Sequence, residues 1–273
     1  MIYGPHIDPP LGEIPAALIA GGWCSFQTTL RDPKRLSKEG VPDNRDQEAF
    51  LAGACSIPEL WGMAHSSMLT SLGSPDPRIR NGSAGALASD ANLARALGLA
   101  GVCFHVGYEK GHASRTAALD AVVYKLADVV SKLKVGAMVW LENGCEGTEL
   151  GQTLDEIGYV LRNLGAGPSS VGVVLDTCHL HVSGFDLAAS GAPEKLANEI
   201  AAAGCIEYMQ AIHLNDAREP CGSHRDRHAP PGKGTIGEGL RALATYPMFC
   251  GLHGIMEISI SEVPDAIAFM NGG

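Results

Sequence analysis

Eight short apolar runs recur along the chain: IYGPHID, GGWCSFQTT, ELWGMAH, GVCFHVG, GAMVWLEN, VGVVLDT, MQAIHLND and GLHGIMEIS. Such near-continuous runs predict strands buried on both faces, as in a parallel sheet. The stretches between them carry the three- and four-residue spacing of helices. The clearest is TAALDAVVYKLADVVSKLK, where Leu119, Val122, Val123, Leu126, Val130 and Leu133 share one face. Eight runs in 273 residues give about 34 residues per repeat, the size of a βα unit. The pattern predicts an α/β fold, a single (β/α)8 TIM barrel domain over residues 1–273, with an open doubly wound sheet as the alternative. No linker or break in composition divides the chain. Residues 31–46 and 218–237, rich in charge, Gly and Pro, predict long loops, and long loops in compact domains are often functional.

Composition narrows the setting. Apolar residues make up 45% of the chain, enough for a substantial core. No secretory signal opens the sequence and no apolar run is long enough to span a bilayer, so no membrane association is expected. Eight cysteines without a CxxC pair point to free thiols in a reducing intracellular compartment. The formal charge of −10 argues against non-specific nucleic-acid coating, which rests on Lys and Arg. It leaves open a nucleic-acid enzyme whose site is made positive by bound cations.

The candidate chemistry lies at the strand ends. From the third run onward the last polar residue is His65, His105, Glu142, Asp176, His213 and Glu257 in turn, every one a metal-ligand type. One buried His or one strand-end Asp is explained by hydrogen bonding or helix capping; six in succession at one edge are not. A parallel barrel gathers its strand carboxyl ends on one rim. Carboxylates crowded there would repel one another unless cations intervene. His179, three residues after Asp176, and the Asp226 and His228 of GSHRDRHAPP extend the set to nine. Nine ligands exceed one four-coordinate zinc and fit three metals with a bridging carboxylate. The His, Asp and Glu mixture suits zinc or manganese in a hydrolytic site. His6 is a candidate supporting residue, whereas His112, His181, His224 and His253 are assigned ordinary hydrogen-bonded roles.

The stretches VGVVLDTCHLHVSGFDL, AIHLNDAR, GSHRDRHAPPGKGTIG, LENGCEGTELG, SLGSPDPRIRNGS and CFHVG resemble the endonuclease IV family of apurinic/apyrimidinic endonucleases, in the family's order. The first 50 residues match weakly. The resemblance implies a xylose-isomerase-like TIM barrel with three zinc ions, Mn2+ being admissible in one site. It implies that His65, His105 and Glu142 hold one metal, and that Glu142 bridges to a second bound by Asp176, His213 and Glu257. His179, Asp226 and His228 hold the third. The implied activity is cleavage of the phosphodiester 5′ to an abasic site in double-stranded DNA, with repair of blocked 3′ ends, by a monomer in which Glu142 is the catalytic bridge. Two departures stand out: Ala229, Pro230, Pro231, Gly232 and Lys233 follow DRH, where the family has an acidic or amide residue, and Met68 stands where it often has Tyr.

Arg31, Lys34, Arg35 and Lys38 on the first long loop, Arg78 and Arg80 on the next, and Arg227 inside DRH are the expected DNA contacts. Leu30, Leu36, Met68 and Leu69 are candidates for an apolar wedge. Two readings of other classes compete: a metal-dependent sugar isomerase or epimerase on the same barrel, and a non-catalytic protein that binds damaged DNA.

Overall fold

The computed structural model describes residues 1–8 and 10–272. Eight parallel strands form the sheet: β1 (Ile2–Pro5), β2 (Ser25–Thr29), β3 (Trp61–His65), β4 (Val102–His105), β5 (Val139–Glu142), β6 (Val171–Asp176), β7 (Met209–His213) and β8 (His253–Met256). Each lies inside one of the eight apolar runs. Pairing runs in chain order from β2 to β7, then to β8 and β1. The last gap, between β1 and β2, is spanned by one bridge, His6 to Gln27, which makes the barrel nearly closed. The predicted helix appears as α4 (Arg115–Val130), after α1 (Ile14–Gly21), α2 (Asn44–Ala54) and α3 (Pro77–Ala96) and before α5 (Leu154–Leu164). It buries Leu119, Val122 and Leu126 and leaves Val123 and Val130 partly buried, but it ends at Val130 with Ser131 as its cap, so Leu133 lies beyond the helix, against expectation. The first long loop ends sooner than expected, because Asp43 caps α2 by accepting from the Asp46 N–H.

The register explains how the ligand candidates come level. His105 lies directly across from Glu142, and Asp176 from His213. In the alternate pairs His65 faces Cys103, Glu142 faces Val174 and Ile255 faces His213, so the next candidate sits two residues further along. This recurring two-residue stagger is the tilt that a closing barrel requires. It also preserves side-chain parity, since residues two apart share one face of a strand. Two positions below the six candidates stand Met63, Cys103, Trp140, Val174, Ala211 and Ile255, which pack together as an apolar plug inside the barrel. Gly101 and Gly172 admit the Trp140 ring, because a Cβ on either would lie 2.4 or 2.6 Å from it. The ligand ring rests on this plug, while a larger core fills the space between sheet and helices.

Candidate metal centre

Glu142 occupies the middle of the ring, 1% exposed, with its two carboxylate oxygens facing different histidines. Oε2 lies 2.9 Å from His65 Nε2 and 3.6 Å from His105 Nε2, and Oε1 lies 2.7 Å from His213 Nδ1. His213 Nδ1 also faces Asp176 Oδ2 at 3.9 Å and Glu257 Oε2 at 3.6 Å. The short helix α6 (Thr177–Val182) begins directly on Asp176, whose Oδ1 accepts the His179 N–H at 2.8 Å. That cap turns His179 toward the ring, where its Nε2 meets Asp226 Oδ2 at 3.2 Å. Asp226 Oδ1 lies 3.0 Å from His228 Nε2, which is 3.6 Å from Asp176 Oδ2.

The far side of each imidazole fixes which nitrogen points inward. His65 Nδ1 donates to the Ser66 carbonyl at 2.9 Å, and His179 Nδ1 donates to the Asn143 carbonyl at 2.8 Å. His213 Nε2 donates to Gln27 Oε1 at 2.7 Å, and His105 Nδ1 to Glu149 Oε1 at 2.9 Å. A carbonyl or carboxylate can only accept, so each outer nitrogen carries the hydrogen and each inner nitrogen presents a lone pair. Lone pairs facing carboxylate oxygens repel unless a cation or a proton lies between them. Among the described residues, the buried His179 Nε2 and His228 Nε2 have no hydrogen-bond partner. This donor set fits divalent cations, with outer atoms holding the ligands in place as metal sites require.

Without a cation, protons take that place. Burial opposes charge on His213, yet Glu257 and Glu142 outweigh it and hold the imidazole up at about 9. His228 is likewise resisted by burial and held at about 9 by Asp176 and Asp226. Burial works against the Glu142 carboxylate too, but His213 and His105 keep it well below the usual range. His65, His105 and Glu142 offer atoms all within 4.8 Å of one another. The corresponding clusters around Asp226 and Asp176 bring in Cys145 beside His179 and Cys178 beside His228, two thiols the expected ligand set lacks. Burial pushes the Cys145 thiol up to about 11 and Cys178 higher still, which keeps both protonated. A cavity of about 370 Å³ opens onto this cluster, lined by His65, His105, Glu142, His179, Asp226, His228 and Glu257, with Met68 at its lip.

A family model described as a xylose isomerase-like TIM barrel matches residues 26–255. A protein of Moorella thermoacetica named probable endonuclease 4 is 31% identical over 268 residues, 96% of this chain and 94% of its own. The chain belongs to the endonuclease IV family. A second relative, the probable endonuclease 4 of Chlorobium limicola, is 32% identical over 201 residues, 73% of this chain and 69% of its own. The crystal structure of endonuclease IV from Thermus thermophilus superposes with a TM-score of 0.84 at 24% identity, covering 99% of this chain and 98% of that one. A D-tagatose 3-epimerase-like protein superposes with a TM-score of 0.72 at 17% identity, covering 99% and 95%. The barrel is shared by proteins of both names, so the site must separate them.

The rim of this endonuclease IV family member departs from expectation at two positions. Arg31 is 3% exposed, and its guanidinium is engaged by Asp90 Oδ1 and Oδ2 at 2.5 and 2.7 Å and by the Ser37 carbonyl. It anchors the loop from beneath and cannot meet DNA. Leu30 is buried as well, which removes it from the wedge. Lys34, Arg35, Lys38, Arg78 and Arg227 are exposed. Arg35 pairs with Glu39 and Asp32, and Arg78 with Asp76, as solvated surface pairs do. Arg80 is partly buried and donates to the Ser74 carbonyl at 2.7 Å. Met68 and Leu69 are exposed at 66% and 51%, with the Met68 N–H donating to the Pro33 carbonyl, while Leu36 is half-buried.

Several supporting residues escaped the sequence reading. Gln27 donates to Glu257 Oε1 at 2.6 Å while accepting from His213. Asn215 donates to Asp176 Oδ2 and Glu257 Oε2 at 2.6 and 3.1 Å. His6 Nδ1 sits 3.0 Å from Gln27 Nε2, outside the ligand ring, as a supporting residue would. Buried Asp216 accepts the N–H groups of Ala217, Gly232, Gly234, Ile236 and Gly237. This carboxylate folds the 218–237 segment back, and a short ribbon pairs Asp216 with Ala229 and Ala217 with His228. Asn143 and Asn215 each follow a candidate ligand closely in sequence, a signal that could have found them.

Proposed function

We propose that this chain is a metal-dependent endonuclease that hydrolyses the phosphodiester 5′ to an abasic site in duplex DNA. It leaves a 3′-hydroxyl and a 5′-deoxyribose phosphate and also trims blocked 3′ ends. His65, His105 and Glu142 hold one cation; Glu142, Asp176, His213 and Glu257 a second; His179, Asp226 and His228 a third. Zinc suits these donors best, with Mn2+ admissible in one place. Cations held there would supply the positive charge that acidifies a water near neutral pH and neutralises phosphate oxygens. Glu142 keeps two of the groups in one frame through its two oxygens. The fixed outer hydrogen bonds of His65, His105, His179 and His213 keep the inner lone pairs aimed without rearrangement. Lys34, Lys38, Arg78 and Arg227 hold the DNA backbone, and Met68 and Leu69 lean on the opened base step.

The observation that carries this reading is the loop-borne pair Asp226 and His228 closing on His179 beside the strand-end ring. A third cation has a use in phosphate chemistry and none in the proton shift of a sugar epimerase. The test is incubation with a duplex holding one abasic site, followed by analysis of both new ends. Cleavage 5′ to the lesion with a 3′-hydroxyl supports the proposal. An intact duplex together with epimerisation of a ketose by the same preparation overturns it in favour of the isomerase reading.

A further inference from the structure

His181 follows His179 by two residues on α6, yet its ring faces a different neighbourhood. Its Nε2 lies 3.2 Å from Thr235 Oγ1, and the single hydrogen of that hydroxyl has the Glu219 and Ala217 carbonyls as acceptors within reach, at 2.8 and 3.1 Å. The hydroxyl hydrogen being engaged, Thr235 accepts from Nε2–H, and Nδ1 is left as a lone pair. His181 is 2% exposed, and among the described residues its Nδ1 has no hydrogen-bond partner. Such a buried acceptor is costly unless something completes it. The groups in front of it are Asp186, with Oδ1 at 3.8 Å, and Cys221. The imidazole, carboxylate and thiol ligand atoms all lie within 4.8 Å of one another.

We propose that His181, Asp186 and Cys221 form a separate site for one thiophilic divalent cation of the zinc class, apart from the nine-residue centre. Zinc bonds of about 2.0–2.3 Å in tetrahedral geometry put ligand atoms roughly 3.3–3.8 Å apart. Asp186 and Cys221 are exposed and have room to close that distance, whereas the imidazole is already fixed. The Cys221 thiol gives its proton to solvent on binding, and a fourth position remains for water. The cation ties α6 to the 218–237 segment, which already donates the Gly222 and His224 N–H groups to the His181 and Val182 carbonyls. That segment carries Asp226 and His228, so the site acts as a clip on the loop-borne part of the main centre. The inference does not rest on what that centre cleaves.

The test uses protein whose main centre is already filled. Alkylation by iodoacetamide is followed by mass spectrometry with and without added Zn2+, the exposed Cys55 and Cys250 serving as internal controls. Added Zn2+ should slow modification of Cys221 at least tenfold and leave the two controls unchanged. Asp186→Asn, a change at an exposed position, should abolish the protection, and so should His181→Gln. Cobalt should give a thiolate charge-transfer band that Cys221→Ser removes. Equal Cys221 rates with and without zinc overturn the proposal. Protection that survives Asp186→Asn also overturns it, because loop ordering by the main centre would then be the cause.

Discussion

Six of the nine candidate ligands stand at strand ends and two hang on a loop, and the two groups are held by different means. The strand-borne set inherits its position from the barrel, since register and tilt bring each residue level above the apolar plug. The loop-borne Asp226 and His228 have no such support. Their segment is shaped by the buried Asp216 carboxylate, which gathers five backbone N–H groups. The other long loop repeats the device with opposite charge, the buried Arg31 binding Asp90 and backbone carbonyls. A repeat can set ligands by periodicity, whereas an irregular segment needs a buried charge as its organiser. His179 stands between the two cases, aimed by a helix cap that is itself a candidate ligand.

The sharpest way to break the comparison is to strike the residue on which the strand-borne set converges. Glu142→Gln should lower cleavage of an abasic-site duplex by more than about 100-fold, since even outer residues of metal sites cost 10–100-fold. Circular dichroism should show the fold retained; turnover near wild type would remove Glu142 from this role. Arg31→Ala should destabilise the protein by about 3–5 kcal/mol in denaturant unfolding, because it strands Asp90 as a buried unpaired charge. If Arg31 contacted DNA instead, stability would hold and affinity would fall.

Asp216→Ala should act on the loop-borne side alone. Orphaned N–H groups cost about 1–3 kcal/mol in thermal or denaturant unfolding, and metal analysis should show about one equivalent lost with the remainder kept. A proportionate loss from all groups would mean that the two regions are not held separately.

Titration gives a milder comparison that includes one histidine from each region. In metal-free protein His213 and His228 are held at about 9. Both values lie above the unfolded value of about 6.5, so their stabilising contribution is full below that pH and is lost as pH rises through 9. Metal-loaded protein should behave oppositely, because ligation requires neutral imidazole. Melting temperatures between pH 6.5 and 9 should therefore fall in stripped protein and hold or rise in loaded protein. Parallel curves would contradict cation binding at these histidines.

The smallest effect belongs to the rim. Neutralising Lys34, Lys38, Arg78 and Arg227 should flatten the salt dependence of DNA affinity by about 0.9 in log–log slope for each phosphate that is no longer neutralised. Cleavage of saturated DNA should change little. An unchanged slope would place the DNA on another surface.

Much of the strand-borne site was legible because it is written in local pattern. A ligand type ending each apolar run needs only the period of a strand and the rule that parallel strands finish on one rim. The supporting residues were less legible, because Gln27 acquires its role only by meeting His213 and Glu257, 186 and 230 positions away. Arg31 misled for the same reason. In sequence it is one more cation in a basic loop; in space its partner is Asp90, 59 positions on.

The amino-acid sequence alone determined the eight-fold βα repeat, the parallel class of the sheet and the residue types that crowd one rim. Each follows from neighbours a few positions apart. Only the tertiary structure decided the two-residue stagger that levels the ring, the outer hydrogen bonds that aim each imidazole and the burial of Arg31, Leu30 and Asp216. The unpartnered nitrogen of His181 belongs with these, since its surroundings come from α6 and a loop that meet only after the barrel forms. Chain closure brings such residues together across long separations, and periodicity carries no record of which distant side chain will fill a buried partner's need.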